Sequence, residues 1–309
     1  MARSLAGSCV RWAGRVSAAA AAAMLVLTGP AAAQRFESFS SGLANLGDVL
    51  LPNQTQITLG VGPNYSPDYF GSDNYDFGVD TNIILRFKNF ATVSNEGAEF
   101  NILGLSDFEL GPTADITSGR DEDNNAALEG LGDIGRSLEI GAYGRLRIRD
   151  TYTLRAQYRH ALTGHDGDVV TVRMNRRLYQ TSDERLTTAA GIRWTWVNAK
   201  YNQSFFGVTE EQSERSGLPV STPAGSSRDI RMSVGARWRF LERWALNGYA
   251  SYGLLVAEAS NAAIVDDFGS RHQFGVGANV TYTFNVRTPH ISRRNRERAR
   301  EERRMRQMP

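Results

Sequence analysis

The sequence has 309 residues and a formal charge of +2, with 30 glycines, 10% aromatic and 22% charged residues. Glycine stands above the ~7% average while charge is ordinary, which excludes collagen, wholesale disorder and a polytopic helical membrane protein. The one continuously apolar run, residues 18–27, is about half of the ~20 residues that a spanning helix needs, so any membrane role falls to strands.

In chain order, residues 1–33 carry Arg3, Arg11 and Arg15 with no acid, then the apolar run, a Thr28-Gly29-Pro30 break and Ala31-Ala32-Ala33. A basic start, an apolar middle and a small-residue end predict an export signal cleaved after Ala33, with Gln34 as the mature start. Cys9, the only cysteine, leaves with it. The mature chain then has no thiol for a disulfide, a thiolate zinc site or nucleophilic catalysis. Residues 34–53 read as a periplasmic N-terminal segment, and residues 285–309 as a tail with nine Arg against three Glu. Subtracting the +3 of the signal and the +6 of the tail from the total leaves −7 for residues 34–284. An acidic body with one basic end is not a nucleic-acid surface.

From residue 54 to 284 the dominant signal is alternation with period two. Runs at 57–61, 77–87, 108–116, 138–149, 152–158, 170–178, 186–196, 229–240, 244–254 and 274–284 place apolar side chains on one face and polar ones on the other. In the last run Phe274, Val276, Ala278, Val280, Tyr282 and Phe284 oppose Gly275, Gly277, Asn279, Thr281 and Thr283. Apolar stripes of about 10 to 13 residues ending in aromatics match tilted membrane crossings and their girdles, whereas globular strands run ~5 to 6. The reading is all-β: a transmembrane antiparallel barrel of ten strands, with the short turns periplasmic and the long loops outside. Residues 89–107 are taken as a periplasmic connection. They contain a further alternating run at 90–103, and twelve strands is the alternative, with 201–208 supplying the last. Arg176 falls in the outward phase near a strand end, where it is expected to snorkel to the interface.

The inward phase is rich in arginine. Arg145, Arg147, Arg155, Arg159, Arg173, Arg193, Arg231 and Arg237 are the lumen-facing basic candidates, against Asp80, Glu109, Asp115, Glu139 and Asp229. They fit an anion-favouring channel and equally an interior plugged by ion pairs. Of the four histidines, His165 with Asp166 and Asp168 fits a metal loop, an acid–base pair or simply a polar turn; His272 near Asp266 and Asp267 is a possible outer-rim hydrolase site. No ordered catalytic constellation emerges, and neither a catalytic residue, a metal nor a cofactor is assigned. The tail arginines Arg293, Arg294, Arg296, Arg298 and Arg300 lack an apolar stripe. They suit a solvated end or an electrostatic tether.

Five segments carry a family resemblance. They are Pro67-Asp68-Tyr69-Phe70-Gly71-Ser72; Arg120-Asp121-Glu122-Asp123 followed by Gly130-Leu131-Gly132-Asp133 and Leu138-Glu139-Ile140-Gly141; Gly164-His165-Asp166-Gly167; Phe205-Phe206-Gly207-Val208 leading to Ser216-Gly217-Leu218-Pro219; and the closing Thr281-Tyr282-Thr283-Phe284. In this order they resemble the MipA/OmpV family of outer-membrane proteins, named for an MltA-interacting scaffold of peptidoglycan enzymes. Phe205 stands where the resemblance leads one to expect tyrosine, and such barrels usually stop at the terminal aromatic. The resemblance implies a Gram-negative outer-membrane protein that binds or organises murein hydrolases and synthases. The resulting expectation is a monomeric, non-enzymatic barrel with outer-membrane lipid around it and murein enzymes or peptidoglycan as partners. A small-solute channel is the alternative and a rim hydrolase the third reading.

Overall fold

The computed structural model describes residues 55–87 and 90–286. The signal, the 34–53 segment and the five tail arginines lie outside the described residues. Twelve antiparallel strands form one closed sheet: β1 (Thr55–Pro67), β2 (Tyr75–Phe87), β3 (Ala91–Ser94), β4 (Gly97–Phe100, resuming after a break as Leu103–Gly104), β5 (Phe108–Thr117), β6 (Ser137–Ile148), β7 (Tyr152–Ala161), β8 (Asp168–Gln180), β9 (Leu186–Val197), β10 (Ser226–Trp238), β11 (Trp244–Leu255) and β12 (His272–Val286). Each pairs with its sequence neighbours, and β1 closes on β12 from Thr55↔Val286 to Tyr65↔Val276. Closure pairs nearly all of the sheet edge that hydrocarbon cannot satisfy, the outer part of β2 excepted.

The count corrects the ten-strand expectation and meets the twelve-strand alternative by a different route. Both additional strands come from the segment taken as a periplasmic connection. Its alternating run is folded in half at Asn95-Glu96, so that Ser94 pairs with Gly97. Gly97 is required there, since a Cβ would lie 2.3 Å from the carbonyl oxygen of Ala114. Residues 201–208 form no strand; 199–206 are helical.

Outward residues such as Leu59, Phe77, Ile140, Met232, Val234, Trp238 and Phe274 are exposed, an apolar surface far too large for a water-soluble monomer. Aromatic pairs Trp244–Tyr282 at the short-turn end and Tyr252–Phe274 at the other mark the two girdles. Arg176 lies over the Tyr152 ring, 5.6 Å from its centre, at the short-turn end of the wall. The β6–β7 turn places Arg149 and Asp150 at φ 51° and 53°, the type I′ geometry that favours Asn-Gly. Asp150→Gly is expected to stabilise the barrel by about 1 kcal/mol. A higher temperature for conversion of the compact gel band to the unfolded one checks it; an unchanged temperature refutes it.

The buried apolar core sits in the loops of the outer end. It joins the β1–β2 loop, the β5–β6 loop with two 3₁₀ turns, the β9–β10 loop with helices α1 (Ala199–Phe206) and α2 (Glu210–Ser216), and the β11–β12 loop with α3 (Ala257–Ser260) and α4 (Ala263–Asp266). Tyr69, Leu128, Leu131, Tyr201, Phe205, Phe206, Val208, Leu218, Ile264 and Val265 pack together there. Strand residues have lipid on one side and a polar lumen on the other. The loops have neither, so their apolar side chains bury one another and roof the barrel.

Candidate functional site: an arginine row beneath a closed roof

Antiparallel pairing puts directly opposed residues on the same face, so a run of inward arginines in register becomes a continuous row. Arg145 on β6 opposes Arg155 on β7, Arg155 opposes Arg173 on β8, Arg173 opposes Arg193 on β9, and Arg193 opposes Arg231 on β10. Like charges facing one another across strands are destabilising, so the row needs counter-charge. It is supplied at both ends. Arg145 bonds Glu99 at 2.7 Å and Glu109 at 2.6 Å, and Arg155 bonds Glu99; at the other end Arg193 meets Asp229 at 3.2 Å. Between them, Arg173 keeps solvent-accessible surface toward the cavity and, among the described residues, has no carboxylate within ion-pair distance; Glu96 lines the same cavity. Among the described residues, the Nε–H groups of Arg155, Arg193 and Arg231 find no acceptor.

A twelve-stranded wall leaves more interior than an eight-stranded one, whose side chains fill it. Here the lumen holds a cavity of about 1180 Å³, lined by the row and by Asp80, Asn82, Glu96 and Asn279. Arg159 also faces it, bonding Asp115 at 3.1 Å and Glu139 at 3.0 Å. Arg147 pairs with Glu109 nearer the short turns. Arg237 is exposed, and no carboxylate among the described residues lies within ion-pair distance. Sequence reasoning missed Glu99 and Glu96, both on the hairpin expected as a connection; alternation with Ala98 and Phe100 was the signal for Glu99, whereas Glu96 sits in the turn.

The roof is pinned by a set of buried polar contacts. Arg228 lies 4.4 Å from the Phe70 ring centre and 5.3 Å from that of Tyr201, donating to Asp229 at 2.8 Å and to the Tyr201 hydroxyl. The Tyr69 hydroxyl donates to the Ile264 carbonyl at 2.9 Å; burial, reinforced by Asp68 and Asp73, pushes its pKa up to about 12, so this bond persists throughout the physiological range. Gly71, at φ 101°, leaves no room for a Cβ beside Val265, and Gln273 ties Gly71 and Ser72 to β12. Glu122 accepts from the backbone N–H of Gly130 and Gly132, and Arg120 donates to the Phe205 carbonyl. Apart from the closing β12 residues and the start of β6, the residues that carry the family resemblance build this roof.

His165 belongs to it as well. Its Nδ1 accepts from the Gly167 N–H at 3.0 Å, so its Nε2–H donates to Glu139 at 3.1 Å, and Tyr201 and Phe205 pack against the ring. Asp168 lies apart, bonded to His160, Tyr158 and Asn198. His272 bonds the Tyr252 hydroxyl at 2.7 Å while Asp266 meets Arg271 at 3.8 Å. Neither histidine is thus assembled with the acids considered beside it. Among the described residues, no group of three His, Cys, Asp or Glu is placed to hold a metal ion.

The family described as MltA-interacting protein MipA matches residues 59–284, from β1 into β12. The chain belongs to this family. Over 89 residues this MipA-family chain is 32% identical to the MltA-interacting protein of Escherichia coli (strain K12), covering 29% of this chain and 36% of that protein; the figures for the Shigella flexneri protein of that name are the same. The match thus spans about a third of the curated relatives' length. Among solved structures, the NanC porin covers 72% of the chain and 98% of its own length at 8% identity and TM-score 0.42. The KdgM porin covers 75% and 99% at 11% identity and TM-score 0.34. The chain is a MipA-family β-barrel of the Gram-negative outer membrane.

Proposed function

We propose that this barrel is a non-enzymatic envelope scaffold that docks murein-remodelling enzymes at its periplasmic end. The observation that carries the reading is the closed roof. Its packed apolar residues and the Arg228–Asp229 pair span all four large outer loops, so the outer mouth is built to stay shut, and the periplasmic end is left to do the work. There Arg147, Arg149, Arg177 and Arg237 are exposed. The relatives' name, MltA-interacting protein, supports a murein hydrolase as the docking enzyme. The tail arginines Arg293, Arg294, Arg296, Arg298 and Arg300 would add to the same basic end.

Full-length protein immobilised in detergent is expected to retain a murein hydrolase from periplasmic extract, and retention should fall steeply as salt rises, because exposed charges are screened beyond ~8 Å at 0.15 M. Replacing the five tail arginines with Gln should weaken retention while leaving the barrel's heat resistance unchanged. No retention, or retention insensitive to salt, refutes the electrostatic docking. A second reading, a path for small anions, is favoured by the arginine row; it requires the roof to open.

A further inference from the structure

The wall has one incomplete seam. On one edge β2 is paired with β1 all the way from Arg86 to Tyr75. On the other, β3 covers it only from Phe87 to Ile84, because the β3–β4 hairpin turns back at Asn95-Glu96. Asn95 extends the cover by one step: its side chain accepts from the Ile83 N–H and donates to the Thr81 carbonyl at 3.0 Å. Beyond it, the N–H and C=O of Val79 and Phe77, which alternation turns to the same side, have no strand partner among the described residues. On the far side of the seam, β5 is covered by the hairpin as far as Asp115, and the Ile116 N–H donates to the Glu96 carbonyl. The outer part of the β2–β5 boundary is therefore a gap in the wall.

Side-chain exposure marks the same place. Phe77 and Val79 are 83% and 71% exposed, above even Val61 at 58% and Phe274 at 56%, outward residues on strands flanked on both sides. These apolar residues face the bilayer, yet the backbone beside them is open. Unsatisfied backbone groups in hydrocarbon cost several kcal/mol each, so a wall gap at this level calls for an occupant with polar and apolar parts. Behind the gap lies the lumen cavity, whose lining includes Val79, Thr81 and Asn95 from the gap and Arg155, Arg173 and Arg193 from the row. At about 1180 Å³ it exceeds the ~300 to 1,000 Å³ of ordinary small-molecule pockets. Of the acids on its β2 side, Asp80 is engaged by Asn64 and Tyr249, and Glu96 lines the cavity without an ion-pair contact to Arg173 among the described residues.

We propose that the β2–β5 gap is a lateral portal through which an anionic bilayer amphiphile, with a phosphate or carboxylate head, places that head on Arg173 and its neighbours while its hydrocarbon leaves over Phe77 and Val79. The packed roof loops cover the outer mouth, and the gap opens the cavity sideways toward lipid. The site takes a membrane lipid rather than a soluble anion because cationic row and apolar sill are offered together. The inference does not depend on enzyme docking.

The test uses full-length protein in non-ionic detergent, with native mass spectrometry as readout. Three probes are compared: a lysolipid with a phosphoglycerol head, the same chain with a phosphocholine head, and glycerol phosphate without a chain. The phosphoglycerol lysolipid is expected to bind about tenfold more tightly than either of the others. Arg173→Gln should lose about tenfold, as removal of a charge-assisted contact does, and Arg173→Lys should keep most of the affinity, with heat-dependent gel mobility reporting that both variants fold. A diazirine in the acyl chain should label the β2 peptide around Phe77 in wild type and less in Arg173→Gln, while labelling of the outward face of β10 stays constant. Equal binding of chain-free glycerol phosphate would make the row a soluble-anion site and overturn the portal. Indifference to head charge, or an unchanged Arg173→Gln, would overturn the proposal altogether.

Discussion

In a planar bilayer the wild-type protein is expected to pass little current, and the Phe206→Ala variant to open to long-lived conducting levels. Phe206 is buried in the roof with Tyr201, Phe205 and Val208, and truncating a buried phenylalanine costs about 3 to 5 kcal/mol. That loss falls on the loops rather than on the barrel, which is held by strand pairing from each element to its neighbours. The roof should therefore loosen while the wall survives: conductance rises, and the temperature at which the compact gel band converts changes little. If the open levels appear, the arginine row predicts preference for anions over cations under a salt gradient. Large wild-type conductance would remove the ground for treating the barrel as closed, and with it the main support for the scaffold reading.

Much of this was legible because a membrane strand writes its environment residue by residue. Phe274 to Phe284 and Ile230 to Trp238 show lipid on one side and a wet lumen on the other, and β6 to β12 follow from that pattern. The β3–β4 hairpin was not legible as two strands, since each has a run of only four residues and the turn shifts the apolar positions from odd (Ala91, Val93) to even (Ala98, Phe100). Helix α1 was hidden for the opposite reason. Residues 201–208 hold aromatics at spacings that a short strand would also show, and only the neighbouring loops, distant in sequence, decide that Tyr201, Phe205 and Phe206 face a common core. The arginines could be placed on the inward face one strand at a time. That five of them stand in a single register row depends on strand stagger, which turn lengths and the Thr188/Ala189 and Thr195/Trp196 irregularities set, and no single run contains it.

The second large effect is expected at Asp229, where roof and row meet. Its carboxylate is 1% exposed and accepts from Arg228, which holds Phe70 and Tyr201 of the roof, and from Arg193 of the row. Asp229→Asn keeps the shape and removes the charge, leaving the buried Arg228 without its counter-ion. Removing one partner of a buried pair costs about 3 to 5 kcal/mol, whereas replacing both with apolar groups of similar size is often neutral. Arg228→Met alone strands Asp229 only partly, because Arg193 remains beside it, so its cost should be smaller. The double variant Arg228→Met with Asp229→Asn should recover much of what Asp229→Asn loses. Unfolding in urea followed by tryptophan fluorescence would read the three variants, and coupling between the sites should exceed the ~0.5 kcal/mol within which independent sites add. Additive losses would mean that the pair does not act as one unit, and that the roof is held by its apolar contacts alone.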